Sequence, residues 1–217
     1  MVECADKGIT RTSGMNTWRA GCDESRTSGS EGGPGKPTSR KADRAPWSDP
    51  YTEHRTGEGK LYLCAIKDAY SNRIVGYSID SRMKSRLAVA ALNNAVARRG
   101  IEGGEVAGCV IHSDRGSQFR SRKFVHAINR HEMVGSMGRV GAAGDNAAME
   151  SFFALLQKNV LNRGSWDTRE DLRIAIVKWI ERTYHRRRRQ DALGRLTPIE
   201  YETIMTTHET TPATQAA

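Results

Sequence analysis

Between Lys60 and Asp80 the chain carries two short apolar runs, KLYLCAIKD and RIVGYSID, separated by AYSN. Their lengths and the polar interval between them predict a β-hairpin. In MKSRLAVAALNNAVARRG, Leu87, Ala91, Ala95 and Val96 recur at helical spacing, and Gly100 stops the run. VAGCVIHSD then reads as a short buried strand whose carboxyl end turns polar. FRSRKFVHAINRHE follows as a helix and MVGSM as a brief strand. From GAAGDNAAMESFFALLQKNVL a strong helix is expected, with Asp145 or Asn146 as its cap. Met149, Phe152, Phe153, Leu156 and Val160 form its apolar stripe. A last amphipathic helix, TREDLRIAIVKWIERTYHR, places Leu172, Ile176, Trp179 and Ile180 on one face. With a first strand at about 47–55, this order predicts an α/β fold, a mixed sheet flanked by helices.

Composition changes the picture at the ends. Residues 1–45 contain Val2 and Ile9 as their only branched aliphatic residues and neither Leu nor Phe. Such a stretch buries too little apolar surface to offset its ordering entropy, so a disordered N-terminal tail is expected. Residues 46–205 would form the folded core and 206–217 a flexible tail. The formal charge is +9, from 34 Lys and Arg against 25 Asp and Glu. That surplus favours a polyanionic partner, because neutralised phosphates release counterions. No run of eighteen apolar residues exists, so no membrane span is expected. The scattered cysteines, Cys4, Cys22, Cys64 and Cys109, suit free thiols in a reducing cytoplasm.

Three segments could carry chemistry. HSDRGSQF sets Asp114 at the end of an apolar strand, with Gly116 allowing a sharp turn. GDNAAMESFF puts Glu150 at the edge of a helix's apolar stripe, and WSDPYTEH offers Asp49 and Glu53. Carboxylates from separate elements suit phosphoryl transfer, in which two hard cations about 3.5–4 Å apart serve the attacking and leaving oxygens. Taken alone, an Asp after a strand is more often a turn residue and a Glu on a helix more often solvated.

HSDRGSQF, SMGRVGAAGDNAAMESFFALLQK and YHRRRRQDALGRLTPIEY, with GEGKLYLCAIKDAYSNRIVGYSID, resemble insertion-sequence transposases of the IS-three family. In that group two overlapping frames are read, and the second product carries a retroviral-integrase-like core. The resemblance runs from about residue 47 to 205, and residues 115–149 separate Asp114 from Glu150, the spacing typical of this class. It implies a ribonuclease H-like fold with a five-stranded mixed sheet, two Mg²⁺ ions (Mn²⁺ substituting), and DNA cleavage followed by strand transfer. Asp114 and Glu150 match the second and third catalytic, metal-binding carboxylates, and Asp49 stands nearest the first. DNA contacts are expected from Lys158 and the run Arg186, Arg187, Arg188 and Arg189, and from Gln118 and Asn146, which could instead support the catalytic carboxylates or be solvated loop and cap residues. Relatives place their basic residue where Gln157 stands, one before Lys158.

Implied partners are transposon-end and target DNA, a homo-oligomer on DNA, and a first-frame helix-turn-helix protein, in a bacterial cytoplasm near the nucleoid. Relatives read Trp-x-x-Asp-x-Thr at the first aspartate, whereas here Pro50 holds the matching place and Asp49 is one residue out of step. A bulge re-aiming Asp49, substitution by Glu53 or Asp68, or a broken site are the alternatives. A frame shift upstream of Thr52 would explain both the tail and this slip. The competing function is an impaired remnant that only binds DNA or an intact transposase; a plain ribonuclease H-like nuclease is a third reading.

Overall fold

The computed structural model describes residues 17–22, 54–137 and 147–210, with side chains for 54–137 and 148–206. Six strands and five α-helices are present among them. The strands are β1 (Thr17–Cys22), β2 (His54–Thr56), β3 (Gly59–Asp68), β4 (Ile74–Asp80), β5 (Val110–Ser113) and β6 (Val134–Met137). The helices are α1 (Ser85–Ile101), α2 (Arg122–Arg130), α3 (Ala147–Asn159), α4 (Arg169–Lys178) and α5 (Pro198–Thr210).

Strand β3 is the spine of the sheet, pairing antiparallel with β2, β4 and β1. Beyond it β1, β5 and β6 run parallel to one another. The expected α/β class and mixed sheet stand, but three boundaries move. The sheet has six strands where five were expected. Its central position is taken by Thr17–Cys22, in the segment expected to hold no element, and not by a strand at 47–55, of which only His54–Thr56 is described as β2. Helix α5 continues to Thr210, past the expected core boundary at residue 205. Propensity did not signal β1 because a central strand draws its stability from two neighbours rather than from its own composition.

Side chains alternate across β3 and divide the core. Cys64 and Ile66 join α1, α2 and Ile111 on one face; Leu61, Leu63 and Ala65 join α3 and α4 on the other. Helix α1 lies close on β4 because Gly76 has no Cβ: one placed there would stand 2.6 Å from both the backbone N and the Cβ of Ala95. On the α3 face Phe152 packs edge-to-face on Tyr184, ring centroids 5.2 Å apart, and beside Trp179 at 6.0 Å. Burial of one such aromatic contributes about 1.5–3 kcal/mol.

Local chemistry sets the helix ends. Ser121 Oγ accepts from Phe124 N at the start of α2, and Thr168 Oγ1 from Asp171 N at the start of α4. At α5, Thr197 and Glu200 exchange side chain and backbone in a capping box, with Pro198 at the first position. The expected last amphipathic helix is α4 followed by a π-wound stretch, Trp179–Tyr184. Arg99 joins Asp68 at 2.7 Å and Glu202 at 2.6 Å, tying α5 to α1 and to the β3–β4 turn.

Cys109 is a buried free thiol, as expected. Cys64 departs from that expectation: it is disulfide-bonded, and its Cα partner across the ladder is Cys22. No described helix is long and apolar enough to cross a membrane.

Candidate active site

Asp114 immediately follows β5, which pairs with β1 on one side and β6 on the other. It is half-buried, and its Oδ1 accepts from Gly116 N at 2.7 Å. The loop turns so tightly that a Cβ on Gly116 would run into the Gln118 amide and lie 2.8 Å from Asp114 Oδ1. Gly116 is therefore fixed by close approach, as its place in the motif suggested.

Glu150 stands exposed in the first described turn of α3. That helix buries Met149, Phe152, Phe153 and Leu156 on the face of Leu63 and Ala65, and packs across β1. Glu150 thus projects from the edge of a tightly held stripe, as the helical spacing predicted. Strand register gives the rows beneath the helix. Arg19 pairs with Lys67 on one side and His112 on the other, and His112 pairs with Ser136. His112 Nδ1 lies 3.2 Å from Ser136 Oγ. In the next row Gly21 stands opposite Ala65, on the Asp114 side of that basic and polar row. Alternation places Ala65, Lys67 and His112 on the α3 face.

Lys67 was missed by the sequence reading. It is 5% exposed, and its Nζ donates to Ala148 O at 3.1 Å, two residues before Glu150. Its signal was the period-two series Leu61, Leu63, Ala65, Lys67, in which a lysine falls on the inward face.

The other expected site residues are spread. Gln118 is buried in the loop that follows Asp114, while Lys158 and Arg186, Arg187, Arg188 and Arg189 are exposed. Asp68 drops out as a substitute carboxylate. It is 4% exposed, caps its own turn through Tyr70 N at 2.7 Å, and is paired with Arg99. Asp49, Pro50, Glu53 and Asn146 lie outside the described residues, as do both expected caps of α3.

Hard oxygen donors on two rigid elements fit a small divalent cation, which uses few protein ligands. Among the described residues no cluster of three His, Cys, Asp or Glu completes such a site.

Two family profiles, both described as integrase core domain, match residues 42–143 and 132–198. The transposase InsF of insertion sequence IS3A from Escherichia coli (strain K12) is 35% identical over 156 residues, covering 72% of this chain and 53% of that protein. The transposase of insertion sequence element IS904 from Lactococcus lactis is 32% identical over 156 residues, covering 72% and 60%. The chain thus spans about half the length of the first of these curated relatives. The HTLV-2 integrase catalytic core domain in complex with magnesium superposes with a TM-score of 0.55 at 13% identity, over 86% of this chain and 95% of that one. The catalytic core domain of BIV integrase gives 0.52 at 13% identity, over 90% and 99%. At that identity these two likenesses speak for the fold alone.

Proposed function

Because the chain belongs to the integrase core domain family, as the ribonuclease H-like core of an IS3-type transposase, we propose that it cuts and joins DNA by metal-dependent phosphoryl transfer. The observation that carries this reading is the placement of two carboxylates. Asp114 lies at the carboxyl end of a central strand, and Glu150 on the first described turn of the helix packed across that sheet.

Asp114 and Glu150 would hold Mg²⁺ or Mn²⁺, a pair of ions with Asp49 as a further ligand. When bound, such cations offset phosphate charge and make an attacking water more acidic. The chain's own part is positioning. Gly116 N–H holds one oxygen of Asp114, and the buried stripe of α3 fixes the backbone under Glu150. Lys158, Asn146 and the arginines 186–189 would hold the DNA by its phosphates. Partners on this reading are transposon-end and target DNA and further copies of the chain, in the bacterial cytoplasm.

A second reading, an impaired core that binds DNA without full catalysis, is favoured by the strand register. The backbone position opposite Ala65, one beyond the Ala20↔Ser113 pair that precedes Asp114, is held by Gly21, which has no ligand to offer.

Nicking and joining of supercoiled plasmid in Mn²⁺ or Mg²⁺ tests both readings. Native protein is expected to be active, and Asp114→Asn and Glu150→Gln to abolish joining while DNA affinity survives. Loss in Asp49→Asn as well would place three carboxylates in the site. Folded native protein that binds DNA but never nicks it would refute the catalytic reading and leave the second.

A further inference from the structure

Gln118 lies in the loop between Asp114 and α2. It is 3% exposed, and neither Oε1 nor Nε2 has a hydrogen-bond partner among the described residues. The loop around it is firmly made: Ser121 Oγ donates to the Gln118 carbonyl at 2.7 Å, and Phe119 packs edge-to-face on Phe124 at 5.2 Å. The amide is held in place with both of its polar ends unspent. Among the described residues the other side chains with such a buried atom show one each, whereas Gln118 shows two, beside a candidate metal ligand. A Cβ on Gly116 would meet both the Gln118 amide and Asp114 Oδ1, so the two groups border the same point.

A buried donor and acceptor left unmade lower stability, and in folded proteins such exceptions call for a specific explanation. The amide is enclosed, so its occupant must be small, which excludes a base edge and fits water. Carboxylates that bind metals are themselves commonly held by hydrogen bonds from neighbouring groups. A magnesium-sized ion, moreover, keeps several of its waters.

We propose that Gln118 is a positioning residue of the metal site: when the cation binds, Nε2 turns to donate to the Asp114 carboxylate, and Oε1 accepts from a water carried in with the cation. The proposal rests on the metal-dependent reading above. It also accounts for a glutamine at a position where an apolar side chain would pack without cost.

The test is Gln118→Met, which keeps the volume and removes both polar ends, measured beside native protein and Asp114→Asn. Thermal melting without metal is expected to rise by about 2–4 °C, since an unmade amide is removed. Mn²⁺ affinity by calorimetry is expected to weaken by about tenfold or more. A fall in melting temperature, or failure of the variant to fold, would show that the amide serves the fold, and would overturn the proposal. So would a raised melting temperature with unchanged Mn²⁺ affinity. Native protein that takes up no Mn²⁺ would sink the underlying metal-dependent reading too, an outcome distinct from native and variant binding Mn²⁺ equally.

Discussion

His185 has no exposed surface, yet it is fully engaged. Ile74 N–H donates to its Nε2 at 3.1 Å, so the ring proton sits on Nδ1, facing Glu181 Oε2 at 3.2 Å. Burial pushes the His185 pKa down, Glu181 opposes this, and Arg73 and Arg98 add to the fall. Glu181 is held well below the usual carboxylate range: burial works against its charge, but the bonds to His185 and Arg98 outweigh that. An unfolded histidine takes up its proton near pH 6.5, about where model peptides do. The folded one resists, so below that pH the unfolded state binds more protons. The stability is present in full above the unfolded pKa and is lost as pH falls through and below it. Melting temperature should therefore decline from pH 7 to pH 5. In His185→Gln, which retains an acceptor and a donor, the decline should be shallower, with His54 and His131, whose pKa values burial also lowers, carrying what slope remains. An equal decline in both proteins would place the effect elsewhere.

At the scale of elements, one position on the central strand decides what the site can hold. Side chains on neighbouring strands at matched register share a face, so Ala65, Gly21 and the Asp114 side of β5 form one row under α3. A carboxylate in that row would face α3, and one residue either way would face α1. Gly21→Asp is expected to tighten Mn²⁺ binding by about tenfold, a gain of the size one added ligand contact supplies. No gain in Gly21→Asp would show that this row does not reach the bound metal.

Across the whole molecule, charge is the property that acts at a distance. Arg186, Arg187, Arg188 and Arg189 are exposed where the chain leaves the π-wound stretch, and the chain carries a surplus of +9. Each arginine that neutralises a phosphate contributes about 0.9 to the slope of log affinity against log salt. Replacing all four with alanine should weaken DNA binding at low salt and flatten that slope. An unchanged slope would assign the run to the fold, where Arg189 already reaches Glu200 at 3.7 Å and the Arg195 carbonyl at 3.1 Å.

The β3–β4 hairpin, α1 and the buried stripe of α3 were legible in the sequence because each is set by local periodicity, which the chain carries wherever it folds. Asp114 and Glu150 were legible as candidates for a related reason: a strand end and a helix edge are local features, and the motifs around them are dense. Lys67 was not read, since a lysine in an apolar strand shows its face only once the partner helix is known. The central strand was not read either. Thr17–Cys22 lacks the composition of a strand, and its place comes from β3 and β5 on either side. Which carboxylates can share a site is set by register between segments distant in sequence, where one residue of slip turns a side chain to the opposite face. That is a property of the assembled sheet, and only the tertiary structure decides it.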